Sequence, residues 1–375
     1  MGNYLGNDIP KLGFGLMRLP KLENKIDVEQ VKRMVDCFLE KGFTYFDTAY
    51  RYNNGESERA IKAALVDRYP RDKFQLASKL PAWSDANTKE EAQQMFYTSL
   101  ERTGVDYFDY YLLHNVGEGR IAAFDRFDIW NYLLQKKQEG LIKHLGFSFH
   151  DKASVLDELL TAHPEMEFVQ LQINYGDWDE PAVESRLCYE TARRHGKPVI
   201  IMEPLKGGML ASPPPAVAEI LQKAEPNASL ASWGIRYAAS LEGIITVLSG
   251  MSNVEQMEDN IAYMRDFKPL NAQEQAVIRK AQAVLKTIPV IPCTTCRYCM
   301  PGCPQSIAIP GIFEAMNIYQ VYHDPNIAKF KYMWHTDAQG LSKASVCVEC
   351  GQCESVCPQH ISIIDELKKA ASALE

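Results

Sequence analysis

The chain has 375 residues, ten of them cysteine, and a formal net charge of −8 at pH 7. A single core stops growing at roughly 250 to 300 residues, so we expect one large domain and one small one. The acidic balance and the absence of a basic patch argue against nucleic acid as a partner. No run approaches the roughly 20 apolar residues of a membrane helix, so membrane insertion is not expected. These properties predict a soluble, cytoplasmic protein.

Between residues 11 and 266, short apolar runs rich in β-forming residues alternate with amphipathic stretches. The runs are KLGFGLM, TYFDTA, FQLASKL, FDYYLLHN, HLGFSFH, FVQLQIN, PVIIMEPL and GIITVLSG. Helical spacing separates them, as in Val28 to Lys41 and Ser57 to Asp67. Eight strand–helix units with such continuous apolar runs predict a (β/α)8 barrel. A doubly wound sheet is the alternative, which is disfavoured because no GxGxxG motif follows the first strand.

The chain after the eighth unit predicts one more helix, from Asn271 to Lys286, with Asn271 as its cap. The proline-containing stretch IPVIP then has the composition of a linker. We therefore place the barrel at residues 1–290, and a small domain of helices and loops at residues 291–375.

Two copies of one cysteine pattern, CxxCxxCxxxCP, lie in the small domain. Their cysteines are Cys293, Cys296, Cys299 and Cys303 in the first copy, and Cys347, Cys350, Cys353 and Cys357 in the second. Three thiolates spaced by two residues can bind three irons of one [4Fe-4S] cluster, and the fourth binds the neighbouring cluster. This predicts two clusters, with Cys357 on the first and Cys303 on the second. Structural zinc and disulfides are the alternatives, although zinc ribbons use separated CxxC pairs.

Polar residues stand where the second, third and fourth predicted strands end, the edge at which such barrels carry their chemistry. Asp47, Lys79 and His114 end these strands, and Tyr50 and Tyr52 follow Asp47. Taken singly, each residue also fits a structural role, as a cap, a solvated charge, a rim histidine or a loop aromatic. Together they predict a proton-donating unit, because a lysine held by a carboxylate stabilises a phenolate and a histidine can orient a carbonyl oxygen.

The segments FDTAYRY, ASK and YYLLH resemble the catalytic tetrad of the aldo-keto reductases, and the resemblance covers about residues 5 to 267. It implies that Tyr52, not Tyr50, donates the proton to an aldehyde or ketone. It also implies a nicotinamide cofactor, NADP(H) or NAD(H). The residues implied to bind that cofactor are Ser148, Gln172, Met202, Leu205, Gly250, Ser252, Asn253, Gln256 and Asn260. With the cysteine motifs, the chain resembles the subgroup fused to a two-cluster ferredoxin-type domain.

Three positions depart from the family pattern. Phe149 stands where an asparagine usually holds the carboxamide, and Met202 replaces a stacking tyrosine. Gln256 stands where an arginine commonly binds the 2′-phosphate, so the choice between NADP and NAD stays open; Lys206 or Arg265 could supply the missing cation.

The substrate is expected to be a small carbonyl compound or alcohol, and candidates for its contacts follow strands of the barrel. Trp83, Tyr175 and Trp178 are candidates for pocket walls or for loop packing, and Arg18 and His150 for binding an acid or hydroxyl groups.

The two kinds of cofactor do not exchange electrons directly. Nicotinamide transfers two electrons as hydride, whereas each [4Fe-4S] cluster takes one electron at a time. A flavin usually converts between hydride and single electrons. Alternatively, a redox partner protein such as a ferredoxin or flavoprotein exchanges electrons with the clusters. Three functions therefore stay open: an oxidoreductase with an electron-relay domain, an electron-transfer or redox-sensing subunit with a weakly active barrel, and clusters that only stabilise the tail.

Overall fold

The structure is a computed structural model that describes residues 5–84, 86–181, 183–293, 297–357 and 359–375. It divides into two compact units. The first runs to Lys206 and includes Ala231–Gln275, and the second comprises Gly207–Leu230 and Ala276–Glu375. The predicted domain boundary at residue 290 stays a prediction.

Eight parallel strands close a barrel in the first unit, which confirms the predicted fold. The strands are β1 Leu12–Gly15, β2 Tyr45–Asp47, β3 Gln75–Leu80, β4 Phe108–Val116, β5 Ile142–Phe149, β6 Phe168–Gln172, β7 Val199–Met202 and β8 Ile244–Ser249. Each strand pairs with its neighbours in chain order, and β8 pairs with β1 to close the barrel. The side chains at the carboxyl ends of β1 to β8 therefore meet around one opening.

The strands are mostly apolar because both of their faces are largely buried. Tyr45 of β2, Tyr110 of β4 and Phe168 of β6 meet inside the barrel, where the ring centroids of Tyr45 and Tyr110 lie 5.2 Å apart and those of Tyr110 and Phe168 5.3 Å apart. The next residue along β2, Phe46, instead joins the larger core between strands and helices. Alternate strands thus supply one interior layer, as expected for this barrel.

In chain order the helices are α1 Val28–Glu40, α2 Glu56–Ile61, α3 Lys89–Thr103, α4 Glu118–Arg126, α5 Ile129–Gln138, α6 Ala153–Ala162, α7 Ser185–Arg194, α8 Pro215–Ala224, α9 Leu230–Ala239, α10 Val254–Met264, α11 Ala272–Leu285, α12 Ile309–Tyr322, α13 Pro325–His335, α14 Gln352–Ser355 and α15 Ile363–Leu374. The predicted cap of α11 is present, since Asn271 Oδ1 accepts from the backbone N–H groups of Gln273 and Glu274 at 2.9 and 3.0 Å. No described helix is both long and apolar enough to cross a membrane.

Two local features differ from the sequence prediction. The helix predicted from Ser57 to Asp67 is α-helical only to Ile61 and continues as a π-helical turn over Lys62–Val66, which Asp67 N–H closes by bonding Lys62 O at 3.0 Å. A short antiparallel hairpin, Lys21–Leu22 with Lys25–Ile26, also lies outside the barrel.

The second unit has its own apolar core, built mainly by α12 and α15. Ile312 and Phe313 of α12 pack in one cluster with Ile363 and Leu367 of α15, and all four are at most 1% exposed. The small domain is therefore made of helices and loops, as predicted.

Candidate active site and candidate cluster sites

Four side chains predicted to act together meet at the carboxyl ends of β2, β3 and β4. Lys79 Nζ donates to Asp47 Oδ1, to the carbonyl oxygen of Thr48 at 2.8 Å and to Tyr52 Oη at 3.4 Å. The ring of Tyr52 lies edge-on to that of His114, with centroids 5.8 Å apart. The structure thus brings Asp47, Tyr52, Lys79 and His114 together.

The lysine and the aspartate form a buried ion pair. The side chain of Lys79 is fully buried and that of Asp47 is 2% exposed. Three acceptors match the three protons of the ammonium group, so no donor of Lys79 is left unsatisfied. Burial alone would lower the pKa of Lys79, but the Asp47 carboxylate and the Tyr52 hydroxyl raise that pKa above its ordinary value. Lys79 therefore stays charged.

A further contact to the aspartate comes from a strand that the sequence did not connect with it. Gln170, which is buried on β6, donates from Nε2 to Asp47 Oδ2 at 3.2 Å. Both carboxylate oxygens of Asp47 are consequently bound, one by Lys79 and one by Gln170, which fixes the orientation of the carboxylate.

The loop after β2 presents Tyr52 to the lysine, and Tyr50 to another side chain. Lys79 Nζ lies 4.8 Å from the centroid of the Tyr52 ring. The Tyr50 ring instead stacks under the Arg102 guanidinium, with Cζ 4.4 Å from its centroid. Two asparagines that follow Tyr52, Asn53 and Asn54, have φ of 51° and 57° and turn the chain sharply, a conformation that asparagine tolerates better than most residues.

A buried carboxylate, Glu58, supports this loop, and no sequence pattern pointed to it. Glu58 is fully buried; its Oε1 accepts from Ser78 Oγ at 2.7 Å and its Oε2 from Arg102 Nη1 at 3.4 Å. Arg102 also donates to the carbonyl oxygen of Tyr50 at 3.0 Å. The contacts connect α2, β3 and α3, and so hold the segment that carries Tyr52.

The electrostatic surroundings leave the tyrosine protonated and the histidine neutral. Burial raises the pKa of Tyr52, and this outweighs the opposing effect of the Lys79 charge that the sequence led us to expect. The pKa of His114 lies well below its ordinary value. Burial is the main cause, followed by the positive charge of Lys79 and by weaker effects of His150, Arg120 and Arg51. Among the described residues, Nδ1 of His114 is buried without a hydrogen-bond partner. At neutral pH, the pair can therefore offer a phenolic proton and a neutral imidazole.

The residues predicted to hold a carboxamide lie at the ends of β5 and β6. Ser148 Oγ accepts from Asn115 N–H at 2.7 Å, and Gln172 Nε2 donates to Asp177 Oδ2 at 3.0 Å. Phe149 is 2% exposed and packs in the core between strands and helices. Its side chain therefore serves packing, and no amide replaces the asparagine expected at that position.

Asp177 is the centre of a polar cluster that the sequence did not reveal. It is fully buried and accepts from Lys206, from Gln172 and, at 2.8 Å, from Asn174 Nδ2. Burial acts to raise the pKa of Asp177, but Lys206 and these hydrogen bonds lower it below its ordinary value. Lys206 is thus bound to a carboxylate, while Met202 and Leu205 on either side of Glu203 are partly exposed.

The residues predicted to bind the adenosine phosphates form the turn between β8 and α10. Asn253 caps α10 by accepting from Gln256 N–H at 2.8 Å, and Gln256 Oε1 accepts from Ser252 N–H at 2.8 Å. Gly250 lies against Arg18, whose Cδ would be 3.2 Å from an added Cβ. Further along α10, Asn260 is buried and donates to Ser249 Oγ at 2.8 Å. Gln256 therefore closes the turn before α10. Because its side chain is an uncharged amide, it adds no positive charge at this position.

Three of the substrate candidates have partners that the structure defines. Trp83 lies beside His114, with ring centroids 6.2 Å apart, and donates from Nε1 to the His114 carbonyl oxygen at 2.6 Å. Trp178 packs against Tyr237, with centroids 5.9 Å apart. Arg18 pairs with Glu203 at 3.5 Å.

Two cavities in the second unit are lined by cysteines from both copies of the motif. One is lined by Cys347, Cys350 and Cys353 together with Cys303. The other is lined by Cys293, Cys299 and Cys357. Cys296 lies outside the described residues. Each cavity thus joins cysteines of one copy with the fourth cysteine of the other.

The donor sets fit [4Fe-4S] clusters, since the described cysteines of each set line one cavity. Cysteines spread around a cavity fit a [4Fe-4S] cluster, in which each iron takes one thiolate. Ile309 lines both cavities, and its apolar side chain suits the shielded surroundings of such clusters.

Comparison with known proteins separates the same two parts. Residues 11–283 match the aldo/keto reductase family, and residues 292–362 match a 4Fe-4S dicluster domain. Methylglyoxal reductase DkgA of Salmonella typhimurium is 28% identical over an alignment of 218 residues that covers 51% of this chain and 73% of that protein. The uncharacterized oxidoreductase YqkF of Bacillus subtilis is 25% identical over 68% of this chain and 87% of its own length. The holo form of aldo-keto reductase AKR11C1 from Bacillus halodurans has a TM-score of 0.60 at 25% identity, covering 74% of this chain and 95% of that one.

Proposed function

The chain belongs to the aldo/keto reductase family and carries a 4Fe-4S dicluster domain, and from this premise we propose that its barrel reduces a small aldehyde or ketone, or oxidises the alcohol, with a nicotinamide cofactor. The observation that carries the proposal is the fully buried Lys79, whose three donors reach Asp47, Thr48 and the hydroxyl of Tyr52.

In the reduction, Tyr52 gives its phenolic proton to the carbonyl oxygen. A bound nicotinamide would supply the hydride to the carbonyl carbon. The charge of Lys79, 3.4 Å from Tyr52 Oη, stabilises the phenolate that remains, and Asp47 holds Lys79 in place. His114 is neutral and can donate one N–H to the same carbonyl oxygen, which orients the substrate. In the oxidation, the same groups act in reverse.

The cofactor would be held at the ends of β5 to β8. Ser148 accepts a hydrogen bond from Asn115 and so keeps its hydroxyl proton free to donate to a carboxamide. Gln172 donates to Asp177 and keeps its side-chain oxygen as an acceptor. The phosphates would meet the turn that runs from Gly250 to α10, with Asn260 behind it; Met202 and Leu205 are the apolar candidates along this path.

For the second unit we propose two [4Fe-4S] clusters that relay single electrons to or from a redox partner protein. The first would use Cys293, Cys296, Cys299 and Cys357, and the second Cys347, Cys350, Cys353 and Cys303. The cavities support these sets, because each contains the described members of one set. Such clusters require reduced thiolates, which is consistent with a cytoplasmic location. Because nicotinamide transfers hydride and each cluster takes one electron, exchange between the barrel and the clusters would need a flavoprotein partner as converter.

The test uses the holoprotein, purified without oxygen, and follows nicotinamide oxidation with a panel of small aldehydes and ketones. Tyr52→Phe should lower kcat by roughly 10² to 10⁴, as for a lost general acid, while nicotinamide affinity stays nearly unchanged. Tyr50→Phe is the matched control on the same loop, and should stay within a few-fold of wild type. Equal losses in the two variants, or a wild-type protein that reduces no carbonyl compound, would refute the proposed reaction.

A further inference from the structure

Two guanidinium groups stack on one tryptophan beside the candidate active site. Arg51 follows β2 and Arg120 lies in α4, which follows β4; their Cζ atoms lie 5.6 and 4.7 Å from the centroid of the Trp83 ring. Trp83 is itself fixed to the end of β4, because its Nε1 donates to the carbonyl oxygen of His114 at 2.6 Å. Both cations therefore contact a tryptophan that is hydrogen-bonded to His114.

Arg120 is held by neutral groups. Its Nη1 donates to Asn115 Oδ1 at 2.9 Å, and within the described part of the chain its side chain makes no ion pair with a carboxylate. Asn115 directly follows His114, and its backbone N–H bonds Ser148 Oγ at 2.7 Å, so the residue that anchors Arg120 is fixed in turn. Burial lowers the pKa of Arg120, and Asp151 opposes that effect from a distance. An arginine remains charged under these conditions.

This arrangement differs from that of four other cations in the first unit, which are bound to carboxylates. The pairs are Lys79 with Asp47, Arg102 with Glu58, Lys206 with Asp177, and Arg18 with Glu203. A partly buried charge is costly unless an opposite charge or strong hydrogen bonds compensate it. Two arginines around one tryptophan, Arg51 and Arg120, are also unusual in a chain whose net charge is −8. Arg120 thus has the properties of a binding group for an anion from outside the chain.

We propose that the carbonyl substrate carries a carboxylate, and that the guanidinium of Arg120 binds it. The inference rests on the proposed carbonyl reduction and adds the class of substrate, an oxo acid. The planar fork of an arginine matches the two oxygens of a carboxylate, and stacking on an aromatic ring fixes the plane of that fork. Trp83 provides the ring, and Arg51 adds a second positive charge over it.

The test compares a four-carbon oxo acid with its amide, which has the same chain length and no charge. Wild-type holoprotein should show the higher kcat/KM with the acid. Arg120→Gln should lower kcat/KM for the acid by about 10- to 100-fold, mainly through KM, and should lower the value for the amide much less. Arg120→Lys should recover part of the loss, because it restores the charge without the fork. Arg126→Gln, an exposed arginine on the same helix, is the control and should change neither value.

Three outcomes would overturn the inference. Equal losses on acid and amide in Arg120→Gln would mean that Arg120 only supports the structure. A wild-type preference for the amide would exclude carboxylate recognition. A phosphorylated aldehyde of similar length that is preferred to the oxo acid would assign the site to phosphate esters.

A binding measurement separates this inference from the proposed reaction. Succinate, a dicarboxylate that cannot be reduced here, is titrated calorimetrically into the holoprotein, with succinamide as the neutral control. Succinate should bind wild type and Tyr52→Phe equally and Arg120→Gln at least 10-fold more weakly. Absence of succinate binding to wild type, or equal binding in Arg120→Gln, would refute the inference whether or not the protein reduces a carbonyl.

Discussion

The buried pair of Asp47 and Lys79 allows a stability prediction that does not depend on substrate. Asp47→Asn keeps the shape of the side chain and removes its charge, which leaves the ammonium of Lys79 buried with only neutral acceptors. Loss of one partner of a buried ion pair typically costs about 3 to 5 kcal/mol. We expect the free energy of unfolding of the barrel to fall by an amount in this range, because Lys79 is fully buried and cannot reach solvent without opening the site.

The double variant Asp47→Asn/Lys79→Met tests the origin of that loss. With both charges removed, no charge remains unpaired, so the double variant should recover part of the stability that Asp47→Asn loses. Asp128→Asn is the surface control: Asp128 pairs with Lys89 at 2.9 Å, and both side chains are more than 40% exposed. Its substitution should cost less than about 1 kcal/mol.

Urea unfolding followed by tryptophan fluorescence measures these changes. Trp83, Trp130, Trp178 and Trp233 belong to the first unit and Trp334 to the second, so the signal comes mainly from the barrel. Visible absorbance would report loss of the clusters separately, which is necessary because a protein with two units need not unfold in one step. A loss of 3 to 5 kcal/mol should move the barrel midpoint by about 1 M urea or more. An Asp47→Asn midpoint equal to that of Asp128→Asn would refute the reasoning.

The carboxylate of Glu167 is partly buried, and burial acts to raise its pKa. Hydrogen bonds from His144, Lys137 and the Leu145 N–H outweigh burial and lower that pKa to about 2. The ionised carboxylate therefore contributes to stability above about pH 4.5, and this contribution is lost as the pH falls towards 2. Glu167→Gln should cost about 1 to 3 kcal/mol at pH 7 and nothing near pH 2, as measured by urea unfolding at both values. Cys303→Ser should damage the second cluster and leave the first, which iron analysis and electron paramagnetic resonance would show; loss of the first cluster alone would contradict the exchange of ligands. NADH and NADPH should bind within about tenfold of each other, and Gln256→Arg should favour NADPH by about tenfold more; a hundredfold preference for NADPH in wild type would show that another cation binds the 2′-phosphate.

The fold was predictable because its main signal is local. In β2, Tyr45 faces the interior of the barrel and Phe46 the surrounding helices, so burial on both faces gives a continuous apolar run. Each of the eight predicted runs overlaps one strand of the barrel. The hairpin at Lys21–Ile26 was missed because its strands have only two residues each and are mostly exposed, which leaves no apolar pattern to detect.

The site was predictable only where residue type and strand order carried the signal. Asp47, Lys79 and His114 lie at the ends of successive strands, and their order along the chain is the order of those strands in the barrel. The partner of Asp47 on β6, Gln170, is 123 residues away, and nothing local distinguishes it from any other strand residue. The same holds for Asp177, whose buried carboxylate follows a strand without a pattern of its own, and for Arg120, which lies on a helix where an arginine ordinarily faces solvent.

The crossing of cysteines between the two copies has a consequence for how the tail stays folded. With Cys357 on the proposed first cluster and Cys303 on the second, each cluster would link segments about 45 to 65 residues apart in the chain, as a disulfide across a long loop would. The clusters would therefore act as two cross-links between the same two segments, so that loss of one cluster leaves the segments joined by the other. The tail should then keep its fold when one cluster is damaged, as expected for Cys303→Ser, and lose it when both clusters are removed.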